Sequence, residues 1–574
     1  MEGFHLSQDG QSGVEIYMTK KLTALQPYFG LLLTLMACHG LLLMNDGIYW
    51  DDWLSIGYLK NGDWQSLSEQ TSEMGLPLLG YFQWTLKLLN IYTHYKIIAF
   101  LLIYISSVLI YKTSLNLRIL TATESFLIAV IFIAFPAYQV TVLFCTLNYL
   151  FCLSLFYLAA YIYVESLGKK SLGLIRMLRV GAATIFFISF NLNSLLVYFY
   201  AFLMLMFFSQ KSRDGGTWIK NLSSFIRANW PIIILPIAYW VIRSIFTPPH
   251  GLYANYHRLD VSAWQIFSLS ISFIRVSVFG QFFSAARDLG DHVTVWLVLL
   301  IGVCVAYGYL IRNQRVKNRV RENWFNDKHA ISAFGFGLIA LICAIFPYAA
   351  VGLSPESAGF GTRHNVLISL PVAILIISVF RIYSQSYGQL NLSSQIGFKR
   401  NQLLIISSVV LSFALSCNHY YISWEARAIK DRAFMHVLQS NPKLGDYATY
   451  WIDDRFQAGP ALEYSYYEYS SMFKEVWGGE SRIGVPISYL DTHPDGLSSK
   501  NFNLIHRYNL RDYSENGKEV ILIISPKIDL SEFRLVKNYY ANRISSLFGV
   551  DKSSEFLGQV LSVEAIRRPN NQKN

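Results

Sequence analysis

The chain has 574 residues, 53% of them hydrophobic and 15% charged, with a mean hydropathy of +0.32. That balance excludes an ordinary soluble domain, which carries more charge for its length. The net charge of +11 is no nucleic-acid signal, because the basic residues fall in short loops between apolar runs, where they report membrane topology.

Residues 1–25 are polar, show no cleavable signal peptide and end near Lys20-Lys21, which places them in the cytoplasm. The first apolar run, 27–45, is long enough to span a bilayer and stay there. It is followed at once by Asn45-Asp46-Gly47-Ile48-Tyr49-Trp50-Asp51-Asp52-Trp53. Charge is costly inside lipid and cheap at its edge, so three carboxylates here sit as near the membrane as an acidic cluster can be kept. Trp50 and Trp53 suit the same depth, because indole prefers the interface. A first external loop, 46–94, follows, with two short interfacial helices expected over 52–61 and 75–89.

Ten further spans are expected at 96–112, 123–137, 147–165, 180–192, 194–209, 229–247, 292–311, 330–350, 365–383 and 402–418. Pro136 interrupts 123–165, and Asn191 and Asn193 interrupt 180–209, so each is either two short spans or one bent hairpin. The fold class is thus a polytopic α-helical membrane protein with about 11 transmembrane helices in residues 1–418. Two more external loops run over 247–291 and 351–365. Beyond 419 hydropathy falls, and 419–574 reads as a soluble, mixed α/β extracytoplasmic domain. Within it, 424–440 has the pattern of an amphipathic helix stopped by Asn441-Pro442, and 520–525 that of a buried strand.

The charges agree with this layout. The loops expected in the cytoplasm hold Arg118, Lys169, Lys170, Arg176, Arg179, Lys211, Arg213, Lys220, Arg227, a run of basic residues from Arg312 to Lys328, and Lys399-Arg400. The outer loops hold only Lys60, Lys87, Arg258, Arg275, Arg287 and Arg363. Positive charge stays inside, so the N-terminus is cytoplasmic and the C-terminal domain is outside. The six cysteines lie in or beside apolar runs without metal-ligand spacing, and read as small core residues.

The outer side gathers residues able to do chemistry. The first loop offers Asp46, Asp51, Asp52, Asp63, Glu69 and Glu73. The 247–291 loop offers His250, Tyr253, Tyr256, His257 and Arg258, and the last loop Arg363 and His364. An acid deprotonates a hydroxyl, and an arginine holds a phosphate through paired hydrogen bonds. That combination suits transfer of a group from a phosphate-linked lipid. Each residue also has a plainer reading. Arg363 and His364 suit an interface, His257-Arg258 a headgroup contact, and His250 a turn after Pro248-Pro249. Glu124 and Arg243, near span ends, are expected to snorkel.

These residues carry a resemblance. Asp51-Asp52, then Gly62-Asp63-Trp64, then Glu73-Met74-Gly75-Leu76-Pro77-Leu78 with Tyr81 and Trp84, resemble the first external loop of GT-C fold glycosyltransferases. Bacterial lipid A aminoarabinose transferases and protein O-mannosyltransferases are examples. The match covers Asp51 to Trp84, and Met74-Gly75-Leu76-Pro77 replaces the Lys-Pro element of the aminoarabinose group. The resemblance implies a GT-C-like fold in the bacterial inner membrane. It also implies inverting transfer from a polyprenyl-phosphate sugar donor to a glycan, lipid or protein acceptor of the cell envelope. Asp51 would be the catalytic acid, supported by Asp52, with Asp46 as the other candidate base. Arg363, with His364, His257 and Arg258, would hold the donor phosphate. Glu73 would match an acid that helps bind a divalent metal, Mg or Mn. No Gly-rich phosphate loop is present, so no nucleotide cofactor is expected. The rival readings are a polysaccharide polymerase or ligase, and a transporter or flippase of lipid-linked sugars. The transporter would call for charges deep within spans and two similar halves.

Overall fold

A computed structural model describes residues 25–117, 120–214, 218–254, 261–291, 330–386, 392–460, 464–479, 481–488, 513–514, 517–546, 548 and 552–567. Among them, eight helices are long and apolar enough to cross a membrane, and three more apolar helices are shorter. All but one of the eight fall where the sequence places a span. The expected span 292–311 lies outside the described residues.

The first apolar helix, α1 (Leu25–Leu43), leads into the acidic stretch. Three short helices follow: α2 (Asp52–Asn61), α3 (Trp64–Glu73) and α4 (Pro77–Leu88). The sequence anticipates the first and third. The middle one starts at Asp63, whose carboxylate accepts the Ser66 N–H at 3.0 Å and so caps it. Gly62, at φ +73°, makes the left-handed turn that ends α2.

Next come α5 (Tyr95–Leu117), α6 (Ala122–Ala134), α7 (Leu147–Ser166), α8 (Leu172–Ser189), α9 (Ser194–Asp214) and α10 (Trp218–Phe246). The two ambiguous stretches each resolve into a pair of separate helices. The chain leaves the helical region at Phe135, just before Pro136. Asn191 turns its side-chain amide back onto the Ile188 carbonyl at 2.8 Å, which closes the end of α8.

The 247–291 segment contains α11 (Ala263–Phe273), a π-helical turn and α12 (Gly280–Asp291), in one rod long enough to cross a membrane. Its first half packs on the 330–349 helix and its second on the 392–440 helix, where the Phe282 ring faces Phe413 at 5.0 Å. Val261 abuts Gly352, the Phe273 ring faces Tyr348 at 6.2 Å, and Gln281 donates to the Ser357 carbonyl at 3.1 Å. Tyr348, Gly352 and Ser357 all belong to the end of α13 (Ala330–Ala349) and the loop after it. The sequence places this stretch in an external loop, with no span expected there, whereas the rod has the length and apolarity of one. Its outward face carries Trp264, Phe267, Ile271, Phe279 and Phe283, all exposed.

After α13 and α14 (Ser369–Ser386) comes α15, a single helix from Leu392 to Ser440. It joins the expected last span to the expected amphipathic helix. Residues 416–423 hold no Gly or Pro to break it, and Tyr421 and Trp424 are buried along the way. The expectation that Glu124 and Arg243 snorkel is corrected. The Glu124 carboxylate lies 3.5 Å from Arg381, with side-chain exposures of 1% and 2%. Arg243 donates to the Gly75 carbonyl at 3.1 Å and the Met74 carbonyl at 3.2 Å, and also to Asn193. Partners inside the protein satisfy these ions better than the longer reach to solvent.

The C-terminal residues form a four-stranded sheet of β1 (Thr449–Asp454), β2 (Ile483–Pro486), β3 (Glu519–Pro526) and β4 (Leu561–Arg567), in the order β2-β1-β3-β4. β1 pairs in parallel with β2 and β3, and β4 closes the edge antiparallel to β3. The expected strand 520–525 is β3, with Val520, Leu522 and Ile524 buried and the alternate residues half-covered. Helices α16 (Tyr466–Trp477), α17 (Glu532–Ser546) and α18 (Ser553–Val560) complete this part. Phe434 and Leu438 of α15 pack with Tyr450, Ile452, Met472 and Phe473 in its core.

Candidate functional site

The acidic stretch leaves α1 without regular structure and reaches α2 through Trp50, whose φ is +48°. A left-handed bulky residue costs about 1–3 kcal/mol and persists only where its surroundings hold it. Here they do. The Trp50 N–H donates to Glu468 Oε1 at 3.0 Å, and its indole N–H to Ser465 Oγ at 3.3 Å. Its ring packs on Phe360, centroids 3.6 Å apart. The Arg363 guanidinium lies over the same Phe360 ring, 3.5 Å from its centroid. Phe360 therefore joins the first loop to the last.

Asp51 follows directly and is half-buried. Tyr467 donates its hydroxyl to Asp51 Oδ1 at 2.7 Å. Burial pushes the Asp51 carboxyl above its ordinary value, the Tyr467 bond and the Arg363 charge pull it back, and Glu468 pushes it further up. The charges of both Asp51 and Arg363 also act on the Cys145 thiol, which burial raises well above its usual range. The structure thus brings together Asp51 and Arg363, the expected acid and the expected phosphate ligand. His364 is buried beside them, 3.3 Å from the Arg363 Nε, with its ring 4.8 Å from Tyr348.

The other acids stand apart from this group. Asp52 is fully buried, and its two oxygens accept the Phe144 N–H at 2.7 Å and the Cys145 N–H at 2.9 Å. Burial raises it to about 7, against the pull of these two amides and of Lys96. Its geometry is that of an anchor holding the loop after α6. Asp52→Ala orphans two buried amides, and is expected to cost about 2 kcal/mol of stability. Thermal unfolding of the purified protein measures that loss.

Asp46 is nearly half exposed. It pairs with Arg543 at 2.9 Å and with Arg432, tying the first loop to α17 and α15. Glu73 is buried under the 247–254 segment. Its carbonyl accepts the His250 N–H at 3.0 Å, and a Cβ on Gly251 would fall 2.6 Å from its carboxyl carbon. His250 itself is exposed and shapes the turn, its Nδ1 3.2 Å from the Pro248 carbonyl oxygen. His257 and Arg258 lie outside the described residues. Among the described residues, no three His, Cys, Asp or Glu side chains converge as a metal site requires. An apolar cavity lined by Leu117, Ile128, Phe208 and Phe336 opens at the other end of the bundle, and holds none of these candidates.

Sequence reasoning misses four residues here. Tyr467 and Glu468 lie on α16, which begins with the capping box Ser465-Tyr466-Tyr467-Glu468. That four-residue pattern is a visible helix start, though nothing in it points to Asp51. Lys96, a lone cation at the mouth of a span, is buried, donating to the Gly47 carbonyl at 2.7 Å and to Asn45. Arg427 is buried against Glu468 at 2.8 Å.

No family model, no curated protein and no solved structure matches this chain.

Proposed function

We propose that the chain is a GT-C-like glycosyltransferase of the bacterial inner membrane, moving a sugar from a polyprenyl-phosphate donor to a glycan, lipid or protein acceptor of the cell envelope. The observation that carries this reading is that Phe360 packs between Trp50 and Arg363, which leaves Asp51 within the electrostatic reach of the guanidinium. A carboxylate within electrostatic reach of a guanidinium has the charge pattern that such a reaction needs. The acceptor hydroxyl gives its proton to Asp51 as its oxygen bonds to the anomeric carbon. The bond from that carbon to the phosphate oxygen breaks with inversion. Its electron pair leaves on the phosphate, which Arg363 holds.

Topology supports the same reading. The basic loops lie at the opposite end from the site, which is the bias expected if the site faces the outer side of the membrane, where no nucleotide is needed. The α11–α12 rod turns an exposed Trp and Phe face outward, which suits contact with lipid. Asp52 and Asp46 act in this scheme as the supports of Asp51. Glu73 remains the candidate for a divalent ion.

The test is donor turnover by the purified protein across a panel of polyprenyl-phosphate sugars with envelope acceptors. Wild type should release polyprenyl phosphate from one of them, and Arg363→Ala should weaken donor use by about tenfold or more. Turnover that survives EDTA removes the metal from the scheme. Full activity in Arg363→Ala moves the chemistry elsewhere and favours a polymerase or ligase. No turnover of any donor with acceptor present sinks the transferase reading.

A further inference from the structure

We infer that Tyr467 is a positioning residue for Asp51, so that the C-terminal domain completes the site rather than merely standing over it. The inference rests on the reading of Asp51 as the working acid. Three observations support it.

The first is topological. β1, β2 and β3 run parallel, so their carboxyl ends share one edge of the sheet. In open α/β sheets the loops leaving that edge are the ones that do the work. α16 is the next helix in the chain after β1, and its start meets the first loop of the bundle.

The second is geometric. Within one helical turn, Ser465, Tyr467 and Glu468 all contact Trp50 or Asp51, at 3.3, 2.7 and 3.0 Å. Glu468 is itself locked, by Arg427 at 2.8 Å and by the Ser465 N–H at 2.8 Å. Tyr467 thus projects from a fixed frame toward a residue 416 positions away in sequence. Anchoring one carboxylate oxygen fixes the plane of the group and gives the other oxygen a single bearing. Catalysis needs that kind of second support behind an acid.

The third is chemical. A phenol is the right donor for this task. Burial, and then the charge of Asp51, push the Tyr467 hydroxyl well above its ordinary range. It keeps its proton at every working pH and so donates to Asp51 without competing as a base.

The test uses the full-length protein in detergent, with Tyr467→Phe made in wild type and in Asp51→Asn. The hydrogen bond favours ionised Asp51. Removing it should therefore lower Tm more at pH 8 than at pH 5, because the bond counts for more as more of Asp51 is ionised. In Asp51→Asn the loss should be equal at both pH values. Asp52, Cys145, Arg363 and Glu468 also act on Asp51, but they are common to each pair compared and cancel. In turnover, the acid limb of the pH profile should move up by about one unit in Tyr467→Phe.

An equal Tm loss at both pH values in the wild-type background overturns the inference. So does an unmoved acid limb in an active enzyme. If the expected Tm pattern appears while wild type turns over no donor, the transferase reading falls, and Tyr467 still stands as the residue that holds Asp51.

Discussion

Replacing Asp51 with asparagine is expected to slow donor turnover by about a hundredfold or more, while Tm at pH 8 stays at or above that of wild type. The activity term follows from its role. Loss of a general base typically costs about two to four powers of ten, and asparagine cannot take the acceptor proton. The stability term follows from its surroundings. Burial holds the folded-state carboxyl above its ordinary value, so the ionised form is disfavoured in the folded protein. A group raised in this way contributes most at low pH, and that contribution is lost as pH rises through the folded value. Asparagine removes the charge and so removes the penalty at pH 8, while its carbonyl oxygen still accepts from Tyr467. Residues kept for chemistry at some expense of stability show this opposite movement of rate and Tm. A slow variant that also melts well below wild type would mark Asp51 as structural. A fast variant would remove it from the mechanism.

The contrast between Asp51 and Asp52 shows where the sequence stops. Successive residues at a helix start point about 100° apart, and no one-dimensional pattern says which of two adjacent acids faces the working space. The structure turns Asp52 inward onto two amides of the loop after α6 and leaves Asp51 toward Tyr467 and Arg363. Seven of the eight membrane-length helices are legible because each needs a long apolar run, while Ala263–Asp288 is hidden by the polar residues within it. The α2 helix, over 52–61, is legible for a similar reason: its boundaries are a turn before and a glycine after. The unbroken α15 is not, because a fall in hydropathy near 419 changes what surrounds a helix without ending it. Glu124 reads as a surface ion because the sequence cannot show Arg381 arriving from another helix. Long-range partners of this kind, Asp46 with Arg543 and Lys96 with Gly47 among them, leave no local signal at all.

The second large effect concerns the joint between the two parts of the molecule. Arg427 lies on α15 just past the bundle, and Glu468 opens α16, with side-chain exposures of 1% and 0%. Glu468 also accepts from the Trp50 and Ser465 amides, and Arg427 lies 3.9 Å from the Tyr464 ring. Breaking a buried pair by removing one partner typically costs about 3–5 kcal/mol, because the other charge stays behind in a poor solvent. Arg427→Met should therefore lower stability by about that amount and expose the C-terminal domain to protease. Adding Glu468→Gln neutralises the stranded charge and keeps an acceptor for one of the two amides, which bond to different carboxylate oxygens, so the double variant should recover part of the loss. Recovery of Tm with recovery of turnover would mean that seating α16 on the first loop is what the pair does. If the double variant is less stable than Arg427→Met alone, the two side chains act separately and the joint is held by packing. If Tm recovers while turnover does not, Arg427 acts on the site in its own right, through Tyr464 and the start of the helix that carries Tyr467.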